Sequence, residues 1–396
     1  MENKYLRIGT TYYKKVKMPL NSEDTMSMLV AWSKHEISMD HGRDFLKKID
    51  KYDGFCLIPS HTNYKPVIDR FYNKYEKLEH KMSKGDFPQT EKFIKHIFGE
   101  QYRLGLDYLS ILWHKPSQLL PILCLVSNER NTGKTTFINW MKLIFQGNMT
   151  INNNEDFRSR FNSDWSSKLI IAVDEVLLDK REDSERLKNL STAKFYKTEG
   201  KGKDKVEGNF IGKFILCSNN EENFIYIDNS EIRYWVRKII PFDASEDNPD
   251  LLVELKKELP HFIEFINSRK VVAQKKTRMW FTKEQIYTEA LEVLINGNKS
   301  FVNKELEQLI TDDFAMLDQD VLKYSAGDLV EKLSKRNIRT TTFKVAEVLK
   351  SHFKLEPKNS TYTRYFISYN VDDKPIVNEA SHKGRHYTFT KETFES

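Results

Sequence analysis

The stretch Ser127-Asn128-Glu129-Arg130-Asn131-Thr132-Gly133-Lys134-Thr135-Thr136 directly follows an apolar run at 119–126 and precedes an amphipathic segment. A phosphate-binding loop needs backbone N–H groups curled around phosphate oxygens, a lysine that reaches the same oxygens and a hydroxyl for Mg²⁺. It also needs a helix N-terminus behind the phosphates, because the N–H groups exposed there attract anions. Gly133, Lys134 and Thr135 occupy the positions that this chemistry requires. The stretch therefore predicts ATP and Mg²⁺ as ligands.

The segment after the loop has apolar residues three and four positions apart, which predicts a helix that packs one face on a sheet. Asn128 stands where the first glycine of G-x-x-x-x-G-K-[ST] is expected. Because asparagine tolerates positive φ well, we expect Asn128 to preserve the turn in that conformation. The residues predicted to bind the nucleotide are Asn128, Asn131, Thr132, Gly133, Lys134, Thr135 and Thr136.

Two carboxylates, Asp174 and Glu175, end the apolar run 169–173. At the C-terminal end of a strand, Asp174 would hold Mg²⁺ together with Thr135, and Glu175 would be the base that polarises the attacking water. In isolation, such a pair can also mark a strand that meets an exposed turn. The next run, 214–217, leads into Ser218-Asn219-Asn220, where the Asn219 amide could orient the water, although the tripeptide is also ordinary turn chemistry.

Four short apolar runs, at 119–126, 168–173, 213–217 and 234–240, are typical of strands buried on both faces of a parallel sheet. Helical segments separate them, so the predicted fold class of this part is α/β. A length of 396 residues suits two or three domains. The predicted regions are an N-terminal mixed α/β region at 1–88, a helical collar at 89–118, an ATPase core at 119–245, a helical lid and connector at 246–320, and a winged-helix-like basic domain at 321–396.

Several local patterns predict individual elements outside the core. The run 54–58 predicts a strand, and apolar spacing over 67–78 predicts an amphipathic helix. The segment 93–113 predicts one or two helices, and Thr282 with Gln285 forms a capping box that opens another. A helical pattern continues over 301–322. In the last part, helices at 327–333 and 341–353, separated at Asn337, precede strands at 361–370 and 385–390, which is a winged-helix order.

Composition excludes several classes of protein. The chain is 39% hydrophobic, and no apolar run approaches the roughly 18–20 residues that span a bilayer, so no membrane-embedded segment is expected. The segment 1–17 lacks the apolar stretch of a secretion signal, and we expect a cytoplasmic protein. The three cysteines lie far apart in apolar surroundings, which predicts buried reduced thiols.

The net charge of +6 is concentrated in one segment, because 323–364 carries ten Lys or Arg against four Asp or Glu. A second basic segment, 194–213, carries six lysines against three acidic residues. Such clustering is typical of proteins that bind polyanions, although a run of charges can also be a solvated surface.

The loop 131–135, the Asp174-Glu175 pair and Ser218-Asn219 resemble, in order and spacing, the motifs of the superfamily 3 helicases, compact AAA+ motors of small DNA viruses, phages and plasmids. The similarity is greatest to the helicase parts of phage and poxvirus-type primase-helicases, in which a lead-in like 71–75 precedes the motor. The resemblance covers roughly 70–245. It implies a P-loop AAA+ core, a hexameric ring and 3′ to 5′ movement on single-stranded DNA during replication.

The resemblance also implies an arginine finger just before the last core strand, where Arg233 stands, with Arg237 in reserve. Either arginine could instead be a surface or ion-pair residue. Between the second and third motifs, such motors carry a hairpin that reaches into the ring's pore. Here that interval contains glycines that permit a tight turn and the lysines Lys201, Lys203 and Lys205. An exposed flexible loop is the alternative.

Together these observations predict an ATP-dependent DNA helicase whose N-terminal region assembles the ring and whose C-terminal domain brings duplex origin or fork DNA or a partner. Because 1–118 contains no Asp-x-Asp pair, a primase or polymerase would be a separate protein. His382 and His386 have metal-like spacing but no third ligand nearby. The alternatives are a P-loop ATPase that remodels or pumps without unwinding, and a DNA-binding regulator whose nucleotide only controls oligomerisation.

Overall fold

The computed structural model describes residues 4–19, 25–159, 161–178, 180–199, 204–227, 231–243, 248–369 and 375–394. The elements in chain order are β1 (Tyr5–Ile8), β2 (Thr11–Pro19), β3 (Thr25–Trp32), α1 (Lys34–His41), β4 (Asp50–Tyr52), β5 (Gly54–Cys56), β6 (Val67–Ile68), β7 (Phe71–Asn73), α2 (Pro88–Phe98), α3 (Tyr102–His114), β8 (Ile122–Val126), α4 (Lys134–Phe145), β9 (Met149–Asn152), α5 (Asn154–Arg158), β10 (Ile170–Val173), α6 (Arg181–Thr192), β11 (Phe195–Thr198), β12 (Val206–Asn209), β13 (Lys213–Ser218), β14 (Tyr234–Lys238), α7 (Leu251–Ser268), α8 (Lys283–Ile286), α9 (Glu289–Leu317), β15 (Val321–Tyr324), α10 (Ala326–Lys335), α11 (Thr342–Ser351), β16 (Lys358–Tyr369), β17 (Pro375–Thr390) and α12 (Lys391–Phe394). Short 3-10 helices lie at Arg43–Lys48, Gly99–Gln101 and Gln146–Asn148.

The N-terminal region contains two small sheets. One has the order β3-β2-β1-β4, in which β1 and β4 are parallel and the other pairs antiparallel. The other has the order β5-β7-β6. The strand predicted at 54–58 is therefore confirmed as β5.

The amphipathic helix predicted over 67–78 is wrong, because this segment forms the antiparallel strands β6 and β7 around a left-handed Asp69 with φ 52°. The buried side chain of Asn73 then ties the segment to the preceding loop. Its amide donates to the carbonyls of Ile58 at 2.9 Å and Lys65 at 3.0 Å, and its oxygen accepts the Ile58 N–H. Apolar spacing alone does not reveal these tertiary bonds, which replace the hydrogen bonds of a helix.

The segment 93–113 is confirmed as helical and forms α2 and α3. Their close approach depends on a glycine, because a Cβ atom at Gly105 would lie 2.4 Å from the Phe98 ring. Both helices pack with α7 in the larger apolar core.

The core sheet has five parallel strands in the order β14-β8-β13-β10-β9. The four predicted apolar runs are confirmed as β8, β10, β13 and β14. The edge strand β9 was not predicted, because Thr150 and Asn152 interrupt its apolar pattern. The carboxyl ends of all five strands lie on the same side of the sheet, which is where open α/β sheets bind ligands.

Successive apolar residues of β8, β10, β13 and β14 face two different apolar cores. Leu123 and Leu125 of β8 contribute to the core that contains α2, α3, α4 and α7. Ile122, Cys124 and Val126 contribute to the opposite core, which includes residues of α6 and the start of α9. Burial of both faces of the sheet explains the continuous apolar runs in the sequence.

Helix α7 follows the sheet, and the predicted capping box is confirmed. Thr282 Oγ1 accepts the Gln285 N–H at 3.3 Å, and Gln285 Oε1 accepts the Thr282 N–H at 2.9 Å. The helical pattern predicted to reach residue 322 ends earlier. Helix α9 stops at Leu317 before a left-handed Asp318, and the next residues form β15, which pairs with β17.

The C-terminal elements follow the predicted order. Helices α10 and α11 are separated by a turn in which Asn337 has φ 63°. Strands β16 and β17 form a long antiparallel hairpin in a sheet of order β15-β17-β16. The assignment of this part as a winged helix stays a prediction.

Among the described residues, no helix combines the length and apolar character that crossing a bilayer requires. The three cysteines are free thiols, two of them buried and Cys56 half-buried.

Candidate functional site

The loop between β8 and α4 is shaped by two left-handed residues. Asn131 has φ 56°, and Gly133, the residue that caps α4, has φ 81°. A Cβ atom at Gly133 would also lie 3.0 Å from the Phe242 ring and 3.1 Å from the Phe93 ring. Both the backbone conformation and the lack of space therefore require glycine here.

The expectation that Asn128 has positive φ is wrong, since in the described loop only Asn131 and Gly133 have it. Asn128 instead forms a reciprocal pair with Glu221, which follows β13. The Asn128 N–H donates to Glu221 Oε1 at 2.9 Å, and Asn128 Oδ1 accepts the Glu221 N–H at 3.2 Å. The chain thus turns three residues later than expected, and Asn128 anchors the loop to a neighbouring strand end.

Lys134 lies inside the loop and is only 6% exposed. Its Nζ donates to Thr132 Oγ1 at 3.0 Å and approaches the Glu129 carbonyl at 3.5 Å. Burial lowers the pKa of Lys134, because desolvation disfavours the charged form. An anion bound by the loop would meet this poorly solvated cation directly.

Thr135 and Asp174 form the contact that unites the first two motifs. Thr135 Oγ1 donates to Asp174 Oδ2 at 3.0 Å, although β13 lies between the strands that lead to these residues. Hydroxyl and carboxylate oxygens are ligands that Mg²⁺ prefers, and it commonly takes its other ligands from phosphates and water. In the described part of the chain, no cluster of three or more His, Cys, Asp or Glu forms a separate metal site. The donor set therefore fits a magnesium ion that is bound together with a nucleotide.

Glu175 is exposed at the end of β10 and has a left-handed backbone with φ 52°. Its N–H donates to Asp174 Oδ1 at 3.1 Å, and its carbonyl accepts from Asn154 Nδ2 at 3.3 Å. Within the described residues, its carboxylate forms no hydrogen bond or ion pair. Left-handed residues other than glycine cost about 1–3 kcal/mol and concentrate at functional sites. The backbone of Glu175 is therefore fixed, whereas its carboxylate is open to solvent.

The turn after β13 leaves one amide available. Ser218 Oγ donates to the Val176 carbonyl at 2.9 Å, and Asn220 Oδ1 accepts the N–H groups of Glu222 and Asn223. Asn219 is exposed, and no hydrogen bond of its side chain occurs among the described residues. Because β13 lies between β8 and β10, the turn that carries this amide follows the strand between those that lead to the loop and to the acidic pair.

Glu221 and Lys238 belong to the site but were not predicted. Lys238 Nζ lies 2.8 Å from Glu221 Oε2. Burial favours neutral Glu221, but hydrogen bonds from Lys238 and from the Asn128 N–H outweigh it, so the pKa of Glu221 is lowered. Both residues lie at the carboxyl ends of core strands next to the loop. That placement is the signal that could have identified them.

His96 of α2 and Phe242, which follows β14, brace the loop from the other side. Their rings stack with centroids 4.2 Å apart and 16° between the planes. His96 Nε2 lies 3.1 Å from the Thr132 carbonyl, and the Phe242 N–H donates to the Asn131 carbonyl at 3.1 Å. The collar thus supports the left-handed part of the loop, a contact without a local sequence signal.

Arg233 lies at the amino-terminal end of the core strands, whereas the loop lies at their carboxyl ends. This placement follows because the Arg233 carbonyl accepts the N–H of Ile122 at the start of β8. One guanidinium nitrogen donates to both carboxylate oxygens of Glu231, at 2.8 and 2.7 Å. The side chain is 25% exposed. Arg233 therefore lies at the opposite end of the strands from the loop of its own chain.

Arg237 is buried and bound within its own chain. Its guanidinium forms a bidentate ion pair with Glu100 and donates to Gln101 Oε1 at 3.1 Å. These bonds fasten β14 to the junction of α2 and α3. The environment favours a structural role over the reserve role that was predicted for Arg237.

The interval between the second and third motifs contains an antiparallel hairpin, β11–β12. Asn162 anchors it, because its amide donates to the Lys197 carbonyl at 3.0 Å and its oxygen accepts the Glu199 N–H at 2.8 Å. Of the three predicted nucleic-acid lysines, Lys205 is 61% exposed and lies 3.2 Å from Glu199. Lys201 and Lys203 lie outside the described residues.

Sequence comparison gives one family match. A family of unknown function (DUF5906) matches residues 125–237, the span from the end of β8 to the end of β14. No curated protein matches the chain.

Solved structures give a match over most of the chain. A JCV helicase bound to a small molecule covers 59% of this chain and 66% of its own, at 10% identity and a TM-score of 0.31, too low to carry an argument. The apo structure of the NrS-1 C-terminal region has 14% identity and a TM-score of 0.60, and the match covers 94% of each chain. An A-form apo structure of the same region gives 15% identity, a TM-score of 0.56 and coverage of 96% and 94%. The chain therefore shares the fold of the NrS-1 C-terminal region over nearly its whole length.

Proposed function

We propose that this chain is an ATP-dependent DNA helicase or translocase of the superfamily 3 type, which acts in the replication of a phage, plasmid or other mobile element. The observation that carries the proposal is the 3.0 Å contact between Thr135 Oγ1 and Asp174 Oδ2 beside a glycine-capped helix N-terminus. This contact joins the loop and the acidic pair into one site. Motors that hydrolyse ATP require these parts to be adjacent.

Each residue of the site has a distinct task in this proposal. The loop backbone and Lys134 hold the phosphates, and Thr135 with Asp174 would hold Mg²⁺, which supplies charge neutralisation on the phosphate oxygens. Glu175 accepts the proton of the attacking water, and Asn219 orients that water. The pair of Asn128 and Glu221 keeps the loop aligned with the end of β13.

The proposed active form is a homo-oligomeric ring, most simply a hexamer, in which Arg233 acts in the site of the neighbouring subunit. The support is the position of Arg233 at the amino-terminal end of the core strands, opposite the loop of its own chain. An arginine supplied from a neighbour stabilises the charge of the transition state and couples ATP turnover to assembly.

The proposed nucleic-acid path is the hairpin β11–β12, with single-stranded DNA as ligand. The basic C-terminal part, 323–364, would bind duplex origin or fork DNA, and a separate primase or polymerase would complete the replication machinery. The support is the charge of both segments, since lysine and arginine clusters bind phosphates. We place the protein in the cytoplasm of the host cell.

The decisive experiment measures ATP turnover with and without single-stranded DNA, and strand displacement on a forked duplex. We expect stimulation by the single strand and displacement that requires ATP. A rate that ignores DNA would favour the regulator whose nucleotide only controls oligomerisation. Stimulation without displacement would favour a P-loop ATPase that remodels or pumps without unwinding.

Replacing Lys201, Lys203 and Lys205 by alanine should weaken binding of single-stranded DNA and abolish unwinding. In a hexamer, about 18 cationic side chains would be lost, and each phosphate contact contributes about −0.7 to the slope of log K against log salt. The salt dependence should therefore flatten. ATP turnover without DNA should persist, because the nucleotide loop is formed by other residues.

A matched control replaces three exposed lysines of α2 and α7, Lys92, Lys256 and Lys257, and should leave the salt slope unchanged. Full unwinding with an unchanged slope in the hairpin variant would contradict the prediction. That result would mean that the segment 323–364 holds the DNA.

A further inference from the structure

The hairpin β11–β12 has one face fixed to the protein and one face turned to solvent. Side chains alternate along a strand, so Tyr196 and Thr198 share one face. The Tyr196 ring stacks on Trp165 with centroids 5.8 Å apart, and the hydroxyl groups of Thr198 and Ser166 lie 3.0 Å apart. The opposite face therefore presents its residues to solvent: Phe195, Lys197, Glu207 and Asn209.

Phe195 is 61% exposed on that free face. Its ring contacts no other ring in the described part of the chain. The backbone around it is nevertheless held firmly, because Phe195 pairs with Asn209 across the hairpin and the Phe210 N–H donates to the Lys194 carbonyl at 2.9 Å. A large aromatic side chain on a fixed strand thus stays in water, and no contact among the described residues explains it.

The surroundings of Phe195 favour a nucleic-acid ligand over a protein partner. Lys194 and Lys197 flank the ring and are exposed, and the segment 194–213 carries six lysines against three acidic residues. The other residues of the free face are polar or charged, whereas the centre of a protein interface is depleted in charge. Proteins that bind single strands without sequence preference combine cations for the backbone with aromatic rings on which bases stack.

We propose that Phe195 is a stacking site for an unpaired nucleobase of single-stranded DNA, with Lys197 on the same face contacting the adjacent phosphate. The two side chains are two residues apart on one strand, a separation of about 6.5–7 Å. This inference rests on the proposed function and adds a contact that depends on bases rather than on charge.

The test compares the full-length variants Phe195→Ala and Phe195→Tyr with the wild-type protein and with Val206→Ala. Val206 is a matched control, because it is 66% exposed on the same hairpin but is not aromatic. The probes are oligo-dT and a sugar-phosphate strand of equal length without bases. Phe195→Ala should bind oligo-dT about tenfold or more weakly, because base–aromatic stacking contributes substantially to binding of single strands. Its affinity for the abasic strand and its salt slope should stay as in wild type.

Phe195→Tyr should retain oligo-dT binding, and Val206→Ala should match the wild type with both probes. Equal affinity of Phe195→Ala and wild type for oligo-dT would overturn the inference alone, as would equal losses with both probes. An altered oligomeric state of Phe195→Ala, measured by light scattering, would assign the ring to a subunit interface and would also overturn it. Failure of the wild-type protein to bind oligo-dT would overturn the proposed function as well.

Discussion

Replacing Glu175 by glutamine should leave ATP binding intact and lower the rate of hydrolysis by about 10²–10⁴-fold, the usual contribution of a general base. The amide keeps the shape of the side chain but cannot accept the proton of water. Glu175 directly follows Asp174, and its carboxylate is exposed and forms no ion pair among the described residues. Its loss should therefore not disturb folding. Turnover is measured by phosphate release, and binding by a fluorescent nucleotide.

A matched control is Glu155→Gln, since Glu155 is an exposed glutamate of the neighbouring helix α5 and has no role in the proposed chemistry. This variant should hydrolyse ATP at the wild-type rate. Near-normal hydrolysis by Glu175→Gln would remove Glu175 from the catalytic site. A loss of nucleotide binding would show instead that the left-handed turn at this residue shapes the phosphate site.

The second large effect concerns the arginine finger. Arg233→Ala and Lys134→Ala should each lose about 10³-fold or more of the ATP turnover, because one lacks the finger and the other the phosphate-binding lysine. A mixture of the two chains should recover part of the activity. In randomly mixed rings, about a quarter of the interfaces combine an intact loop with an intact arginine from the neighbour. The recovered rate is measured after subunit exchange, with ring formation verified by light scattering.

The matched control mixes Lys134→Ala with Glu175→Gln. Both changes lie on the loop side of an interface, so no mixed interface contains a complete site, and no recovery is expected. Recovery in the control would show that the recovered activity does not require a complete site at a subunit interface. Absence of recovery with Arg233→Ala, in rings shown to mix, would leave Arg237 or a monomeric ATPase. The ion pair that holds the buried Arg237 guanidinium on Glu100 of its own chain favours the latter.

The phosphate-binding part of the candidate site could be predicted because its residues are neighbours in the sequence. Gly133, Lys134 and Thr135 are contiguous, and the apolar residues before and after them indicate a strand and a helix. The same reasoning failed at 67–78, where helical spacing of apolar residues coincides with two short strands. There the buried amide of Asn73 decides the conformation through bonds to residues 58 and 65.

Backbone conformation at the site could not be predicted, since it depends on contacts between distant segments. Asn131 rather than Asn128 is left-handed, because Asn128 is engaged by Glu221 and Asn131 by the Phe242 N–H. Glu175 is also left-handed, a conformation in which glutamate is uncommon. These contacts between distant segments leave no pattern in a single sequence.

The sequence by itself determined the α/β class, four of the five core strands and the loop that follows the first of them, because burial on both faces and the chemistry of phosphate binding each leave a contiguous pattern. Only the tertiary structure decided the strand order β14-β8-β13-β10-β9. That order sets which strand ends are neighbours, so it brings Thr135 to Asp174, places the end of β13, which leads to Asn219, between the ends of β8 and β10, and puts Arg233 at the opposite end of the strands. The physical reason is that hydrogen bonds between backbones join the parallel strands, and these backbone groups are the same whichever strands are paired. The strand order is instead selected by side chains, which are spread over both apolar cores.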